Sequence, residues 1–217
     1  MRYQRSRLMQ ERLADNRQRI LLSARKLVSE GGFRAAQIAA VATDAGLSTG
    51  SIYRYFPSKA ELFVEVLGEA VRHEIDILRA LVQAPGSAAQ RLQRAVESFA
   101  GRAFDGPFLA YAFIAEPADQ EVDAERIRAR RAFGDVFETV LHQGIASGEF
   151  PPQNADVAAA CIVGAFTEAL IGPIGHARGS RQDRGEVIRT ISRFCLQAVS
   201  GRQEVPAAPG KARRRRA

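Results

Sequence analysis

The side chains best suited to recognition chemistry lie together in one short stretch of the sequence. Ser48, Thr49 and Ser51 carry small hydroxyl groups, and Gly50 leaves room between them for the close approach of another molecule. A hydroxyl can donate one hydrogen bond and accept others. This stretch therefore suits recognition of a polar surface, such as the edges of nucleic-acid bases, in which no covalent bond is made or broken.

Elsewhere the sequence has no set of side chains with the spacing that catalysis or metal binding needs. His73, His142 and His176 are far apart, and none has a Cys, Asp or Glu at metal-ligand spacing. Paired carboxylates, a nucleophile with its base and a glycine-rich phosphate loop are also missing. Cys161 and Cys195 are too few for a disulfide framework. The sequence predicts a protein that is not an enzyme and that uses no cofactor or metal.

The positive charge of the chain is concentrated at its two ends. The net charge is +7, and the arginines at residues 1–19 and the basic residues of 200–217 account for it, while the residues between are close to neutral. Basic ends attract polyanions such as DNA, although charge that serves only solubility is the alternative explanation. The sequence has neither a signal-peptide pattern nor the ~18 consecutive apolar residues of a membrane span. We expect a cytoplasmic protein without membrane contact.

The elements that must position the hydroxyl residues are helices, because helical periodicity runs almost throughout and strand patterns are nearly absent. Gly31-Gly32 ends the first helix, Gly46 caps the second, and Ser58 with Glu61 forms a capping box at the start of the fourth. The pattern predicts an all-α fold of about nine helices. Their expected ranges are 11–30, 37–45, 49–56, 58–82, 88–101, 107–116, 120–147, 154–171 and 185–199.

The second and third of these helices are typical of a helix-turn-helix, in which two short helices are joined by a tight glycine-containing turn. The second helix of that unit enters the major groove of DNA and presents its first residues to the base edges. Residues 48–51 hold that position here, while Ile52 and Phe56, four residues apart, anchor the helix from behind.

Residues 19–67 contain a run of motifs at fixed spacing, among them Gly32-Phe33, Ala45-Gly46-Leu47-Ser48, Gly50-Ser51-Ile52-Tyr53 and Ser58-Lys59. In these motifs, and without a gap, the chain resembles the tetracycline-repressor-like (TetR) family of transcriptional regulators. The resemblance implies an N-terminal three-helix DNA-binding domain and a C-terminal helical domain for ligand binding and dimerisation. The expected parts are a basic N-terminal arm, the DNA-binding domain, the ligand-binding and dimerisation domain and a disordered basic tail, over 1–10, 11–66, 67–199 and 200–217.

The resemblance also implies which residues contact DNA: Gln37, Ser48, Thr49, Gly50, Ser51, Tyr53, Arg54, Tyr55 and Lys59. The residues of 49–51 would face base edges, and Tyr53 and Lys59 would contact backbone phosphates. Arg54 and Tyr55 would lie near the wall of the groove.

Structural explanations for several of these residues stay open at this point. Tyr53 and Tyr55 are also typical of half-buried aromatics with the hydroxyl in water, and Ser48 is first of all a helix N-cap. Gln37 stands where the family usually has Thr or Ser, so backbone N–H groups would have to bind the phosphate there. A cation such as Lys59 at the start of a helix opposes the helix dipole, which favours a nearby phosphate as its partner.

The C-terminal residues predict a dimer interface and a ligand pocket. Small residues over 158–169 and the apolar residues of 188–199 suggest a packed helix pair, which in the TetR family forms a four-helix interface between two protomers; an internal core is the alternative. The stretch 107–150 resembles ligand domains of one branch of the family. Since ligand sites are mostly apolar with a few polar groups, the candidate pocket residues are Tyr111, Phe113, Phe133, Phe137, Phe166 and His176.

The expected function is sequence-specific binding of double-stranded DNA at a palindromic operator by a homodimer. The family usually represses and is usually released by a small-molecule ligand. A non-specific DNA-organising protein, which basic ends would suit, and an activator of the same family are the alternatives.

Overall fold

The computed structural model describes residues 2–175 and 183–201, and for the first ten residues mainly their backbone. Within these ranges the chain consists of nine α-helices and contains no strand, which confirms the predicted all-α fold class. The helices are α1 (Arg2–Ala35), α2 (Ile38–Ala45), α3 (Thr49–Tyr55), α4 (Lys59–Gln83), α5 (Ala88–Asp105), α6 (Pro107–Ile114), α7 (Gln120–Ala146), α8 (Ala155–Gly175) and α9 (Arg184–Ser200). Most of the tail expected to be disordered, residues 202–217, lies outside the described residues.

The first helix begins earlier than its apolar pattern indicates. The pattern predicted a start near Glu11, whereas α1 begins at Arg2, so residues 2–10 are helical. This segment has no apolar stripe that periodicity could detect, but its Arg, Gln and Leu residues are good helix formers. Extending an existing helix also needs no new nucleation. At the other end Gly31 and Gly32 interrupt the helix as predicted, and Gly32 has a left-handed φ of 71°.

The boundaries of the short helices follow the predicted caps. Gly46 ends α2 in the left-handed conformation, with φ 64° and ψ 37°. Ser58 accepts the N–H of Glu61 at 3.0 Å and begins α4, which is one half of the predicted capping box. The complete capping box, with both reciprocal bonds, lies at the start of α5 between Ser87 and Gln90.

A first core joins α1, α2, α3 and the first turns of α4. Its buried members include Ile20, Leu21, Val28, Ile38, Val41, Ile52, Phe56, Leu62, Phe63 and Val66. Phe33, just beyond the glycine break, stacks on Phe63 with 4.5 Å between ring centroids. Each buried side chain of this size contributes roughly 1.5–3 kcal/mol. That burial stabilises α2 and α3, because helices this short are marginal on their own.

A second core joins the remainder of α4 to α5, α7, α8 and α9. At its centre Phe99 lies 5.6 Å from Phe133 and 4.6 Å from Phe166, and Phe137 lies 5.6 Å from Phe166, all measured between ring centroids. Tilted and edge-to-face pairs at such distances add stabilisation beyond the burial of area. Three of the predicted ligand-pocket residues, Phe133, Phe137 and Phe166, are therefore part of the aromatic centre of this core.

Helix α6 connects the two cores. Its Ala112 belongs to the first core and its Ile114 to the second, while Phe113 packs against both. The helix also packs along α1. A displacement of α6 therefore shifts residues of both cores, because close-packed interiors transmit strain.

Candidate DNA-binding surface and neighbouring pocket

The N-terminal end of α3 is exposed and is held in place by Ser48. The Ser48 Oγ accepts the Ser51 N–H at 3.2 Å, and the two hydroxyls form a hydrogen bond of 2.8 Å. Thr49 and Gly50 are exposed, and a Cβ added to Gly50 would meet no heavy atom within 4 Å. The hydroxyl of Ser51 is thus engaged in the cap, whereas Thr49 and Gly50 form the open edge of the helix.

The back of α3 is anchored in the first core. Ile52 is fully buried and Phe56 is 2% exposed. The Arg17 guanidinium lies over the Phe56 ring, 5.0 Å from its centroid, and forms an ion pair with Glu65. Because α3 is held from behind by α1 and α4, its outer face is presented on a rigid support.

The two tyrosines of α3 have different surroundings. Tyr53 is 48% exposed and lies beside Arg54 on the outer face. Tyr55 is half-buried, and its hydroxyl accepts a hydrogen bond of 3.1 Å from the Asn16 side chain. This contact favours the half-buried interpretation of Tyr55, whose role at the groove wall stays a prediction.

Two predicted phosphate-contacting positions, 22 residues apart, meet on this surface. Lys59 Nζ donates a hydrogen bond of 3.2 Å to Gln37 Oε1 and lies 5.1 Å from the centroid of the Phe63 ring. Gln37 precedes α2 and makes no side-chain cap; its Nε2 donates instead to the Arg34 carbonyl at 3.0 Å. The start of α2 therefore has no capping hydrogen bond from the Gln37 side chain, an arrangement that favours an anion.

The C-terminal end of α2 is fastened to α1. Arg19 donates to the carbonyl of Ala45, and Lys26 forms an ion pair of 2.6 Å with Asp44. The hydrogen bond with Asp44 raises the pKa of Lys26, and hydrogen bonds from Lys26 and Ser23 lower the pKa of Asp44. Both contacts fix the tilt of α2 and, through the turn, the position of α3.

A carboxylate from the C-terminal domain holds the junction between α1 and α2. Glu116, just beyond α6, is 7% exposed, and its Oε2 accepts the Phe33 N–H at 2.9 Å. A Cβ at Gly32 would lie 2.6 and 2.9 Å from the two carboxylate oxygens. The glycine is thus required both by its left-handed φ and by the approach of Glu116. Sequence reasoning missed this role, because Gly32 is equally typical of a plain helix stop.

Arg126 of α7 completes this junction. The buried guanidinium donates to the carbonyls of Ala112, at 2.6 Å, and Glu116, and it forms an ion pair of 2.6 Å with Asp123. It also lies 5.9 Å from the centroid of the Phe33 ring. The end of α6 is consequently held by α7 on one side and holds the DNA-binding domain on the other.

A cavity of about 100 Å³ lies between α1, α4, α5 and α6. Its apolar walls are Ala70, Phe99, Ala103, Leu109, Ala110, Phe113 and Ile114, and its charged or polar side chains are Arg25, His73, Glu74 and Arg102. Of the predicted pocket residues, Phe113 lines this cavity. Tyr111 is half-buried against the second core, and His176 lies outside the described residues.

The two arginines of the cavity are in different states. Arg102 is engaged with Glu74 through contacts of 2.7–3.0 Å, and it also donates to Ser98. Arg25, which is half-buried on α1, forms neither a hydrogen bond nor an ion pair through its guanidinium with any residue that the structure describes.

The outer face of α8 and α9 is apolar and uncovered. Phe194 is 58% and Val157 55% exposed, Cys161 is also exposed, and small residues line shallow grooves along both helices. By length and composition alone α8 could also cross a membrane. Its opposite face is nevertheless packed on α7 and α9, with Phe166 and Leu170 fully buried, as in the core helix of a globular protein.

Comparison with known proteins agrees with this architecture. Residues 20–66 match the family model of bacterial regulatory proteins of the tetR family, and residues 85–170 match a tetracyclin repressor-like C-terminal domain. The chain is 37% identical to the HTH-type transcriptional repressor KstR of Mycolicibacterium smegmatis over 151 residues, 66% of this chain and 70% of that protein. It is 32% identical to the HTH-type transcriptional activator FasR of the same organism over 85 residues, 39% of each protein.

Solved structures show the same fold. The transcriptional regulator FadR of Bacillus subtilis in complex with stearoyl-CoA superimposes with a TM-score of 0.71 at 18% identity, over 84% of this chain and 98% of that one. RolR in complex with resorcinol superimposes with a TM-score of 0.68 at 20% identity, over 87% and 89% of the two chains.

Proposed function

The chain belongs to the TetR family of bacterial transcriptional regulators, and we propose that it is a homodimeric repressor that binds a palindromic operator and is released by a small-molecule ligand. The observation that carries the proposal is the outer face of α3. Thr49, Gly50 and Arg54 are exposed there, while Ile52 and Phe56 hold the helix from behind. The family and the relatives are regulators rather than enzymes, so the function is recognition and not chemistry.

The position of each residue on this surface decides whether it contacts the base edges or the phosphates of DNA. Thr49 and Gly50 at the open end of α3 face the base edges in the major groove, and Arg54, one turn later, lies near the wall of the groove. Tyr53, Lys59 and the first N–H groups of α2, which the Gln37 side chain does not cap, bind the phosphates on either side. Phosphate contacts set the register of the protein on the duplex, and base contacts select the sequence.

Dimerisation uses the uncovered face of α8 and α9. Exposed apolar side chains such as Phe194 and Val157 gain roughly 25 cal/mol for each Å² removed from water, and the small residues around them allow close helix packing. Two protomers joined through this face form a four-helix interface. A twofold dimer places its recognition helices on half-sites about 34 Å apart, which accounts for a palindromic operator.

Repression is supported by the match to KstR, which covers more of this chain than the match to the activator FasR. Release by a ligand is supported by the cavity beside α6 and by the contact from Glu116 to the DNA-binding domain. FadR and RolR, which share the fold, hold stearoyl-CoA and resorcinol. The protein acts in the cytoplasm, because the operator of a bacterial regulator lies there.

Selection of DNA by the purified full-length protein tests the proposal. We expect enrichment of one palindrome, bound about 10³–10⁷ times more tightly than mixed genomic DNA at the same salt concentration. The mass of the complex should correspond to two protomers on each palindrome. Equal affinity for all sequences would instead identify a non-specific DNA-organising protein. Transcription from the selected site, measured with and without the protein, separates repression from activation.

A further inference from the structure

The cavity beside α6 is lined by both domains. Most of its wall comes from α4, α5 and α6, but Arg25 belongs to α1 of the DNA-binding domain. Arg25 is half-buried, and its guanidinium has no hydrogen-bond or ion-pair partner among the side chains and backbone groups that the structure describes. An arginine side chain with five N–H donors therefore lines a partly enclosed space and has no acceptor among the described residues.

The charges around the cavity do not cancel. Arg102 and Glu74 neutralise each other through a bidentate pair, so the charge of Arg25 is left over. His73 adds a second polar side chain that can donate a hydrogen bond. The remaining walls are apolar. A half-buried cation beside apolar walls is complementary to a molecule with an apolar body and one anionic group.

The type of anion follows from the guanidinium. Its planar fork matches the two oxygens of a carboxylate or phosphate, and such charge-assisted pairs are about twice as strong as neutral hydrogen bonds. A neutral molecule of the same shape would fill the apolar walls but would leave the cation unpaired.

We propose that the regulatory ligand is an amphipathic anion, whose apolar body enters the cavity beside α6 and whose carboxylate or phosphate head binds Arg25. The proposal rests on the function given above and names the class of ligand that this site takes. It also makes Arg25 a sensor, because a ligand that bridges α1 to α4, α5 and α6 binds with different affinity to different arrangements of the two domains. Such a difference is what ligand-induced release requires.

Three probes of one chain length test the head group. A straight alkyl chain is used because it is the narrowest apolar body for a given number of carbon atoms. Octanoate, octyl phosphate and octanol are titrated into the full-length protein by calorimetry, and melting temperatures are measured with each probe. We expect at least one anion to bind about ten to a hundred times more tightly than octanol, as a charge-assisted hydrogen bond supplies. The better of the two anions identifies the head group.

Two variants of Arg25 and one control assign the preference to this residue. Arg25→Gln should bind the preferred anion and octanol about equally, and Arg25→Lys, which keeps the charge without the fork, should retain part of the preference. Arg131→Gln removes an exposed arginine of α7 that is remote from the cavity lining and should behave like the unmodified protein. Far-ultraviolet circular dichroism verifies folding, and Arg25→Lys keeps the test decisive if Arg25→Gln unfolds.

Several results would overturn the inference. They are equal binding of octanol and the anions, an unchanged anion preference in Arg25→Gln or Arg25→Lys, and binding of none of the three probes. The DNA-selection experiment distinguishes these failures from failure of the proposed function. A protein that selects a palindrome but ignores the anions is a regulator with a different ligand, whereas one that binds the anions but selects no palindrome is not the repressor proposed here.

Discussion

The Glu116 carboxylate accepts a hydrogen bond of 2.9 Å from the backbone N–H of Phe33, a residue 83 positions earlier in the chain. Phe33 stacks on Phe63, and the Phe63 ring also lies under the ammonium group of Lys59. A continuous series of contacts therefore joins the end of α6, beside the cavity, to the surface that carries Lys59 and Gln37. A movement of α6 is therefore transmitted through these contacts to the DNA-binding surface.

Removal of the Glu116 carboxylate should lower the stability of the fold and weaken the coupling between ligand binding and operator binding. Glu116→Ala leaves the Phe33 N–H buried without an acceptor, which should lower the free energy of unfolding by about 1–3 kcal/mol. Glu116→Gln keeps an acceptor and should be destabilised less. Denaturant unfolding gives the stabilities, and operator affinity with and without ligand gives the coupling free energy. An equal coupling in all three proteins would show that α6 signals by another route.

Loss of the Lys59 ammonium should reduce the salt dependence of DNA binding. Lys59→Ala deletes one phosphate-binding cation from each protomer and thus two from the dimer, so the slope of log K against log salt should flatten by roughly two units. The control is Arg131→Ala, because Arg131 is an exposed cation on α7, outside the DNA-binding surface, and its loss should leave the slope unchanged. A folded Lys59→Ala protein with an unaltered slope would remove Lys59 from the phosphate-binding residues.

Substitution of Thr49 should change sequence preference rather than overall affinity. Thr49→Ala removes an exposed hydroxyl at the open end of α3 and should redistribute affinity among single-base variants of the operator. Ser51→Ala should act more evenly across sequences, because the Ser51 hydroxyl is bonded to Ser48 in the cap. Thr139→Ala, on the exposed side of α7, is the matched control. Competition binding against each operator variant measures the effect. An equal loss of affinity for every variant with Thr49→Ala would show that Thr49 contacts the DNA backbone rather than the bases.

A charge on the outer face of α9 should separate the protomers. Phe194→Glu buries a carboxylate in the proposed interface, and an unpaired buried charge is strongly unfavourable. Phe108→Glu is the control, since Phe108 is an exposed phenylalanine on α6 that lines neither groove of this face. Light scattering should give a monomer for Phe194→Glu and a dimer for the control. A dimeric Phe194→Glu protein with native circular dichroism would locate the interface elsewhere.

Acid should weaken the attachment of α5 through Glu149. Hydrogen bonds from the backbone N–H groups of Ala88 and Ala89 lower the pKa of Glu149 below its ordinary value of 4.5. A carboxyl whose pKa is lower in the folded state contributes stability above its unfolded pKa and loses that contribution as pH falls through the folded pKa. Unfolding free energies measured from neutral pH to below 4.5 should therefore fall more for the unmodified protein than for Glu149→Gln. Glu121→Gln, at an exposed site of α7, controls for the change in charge, and identical profiles for all three proteins would exclude the effect.

The helix-turn-helix could be predicted from sequence because the signals that define it are local. Gly46 in the left-handed conformation, Ser48 as an N-cap and Ser58 before α4 each act within a few residues of the chain. The burial of Ile52 and Phe56 follows from the same helical spacing. The exposed face of α3 is then determined as the side opposite to them.

The features that could not be predicted from the sequence depend on contacts between residues far apart in the chain. Helical spacing identifies Phe133 and Phe166 as apolar-face residues but does not distinguish a packed core from the wall of a pocket, because both produce the same period. The pairings of Glu116 with Phe33 and of Lys59 with Gln37, and the place of Arg25 on a cavity otherwise formed by α4, α5 and α6, have no signal in local pattern. Caps depend on neighbours along the chain, so the sequence alone determined them, although the start of α1 lies nine residues earlier than its apolar pattern indicates. Contacts between distant residues depend on how the surfaces of whole helices interlock, and the tertiary structure alone decided those.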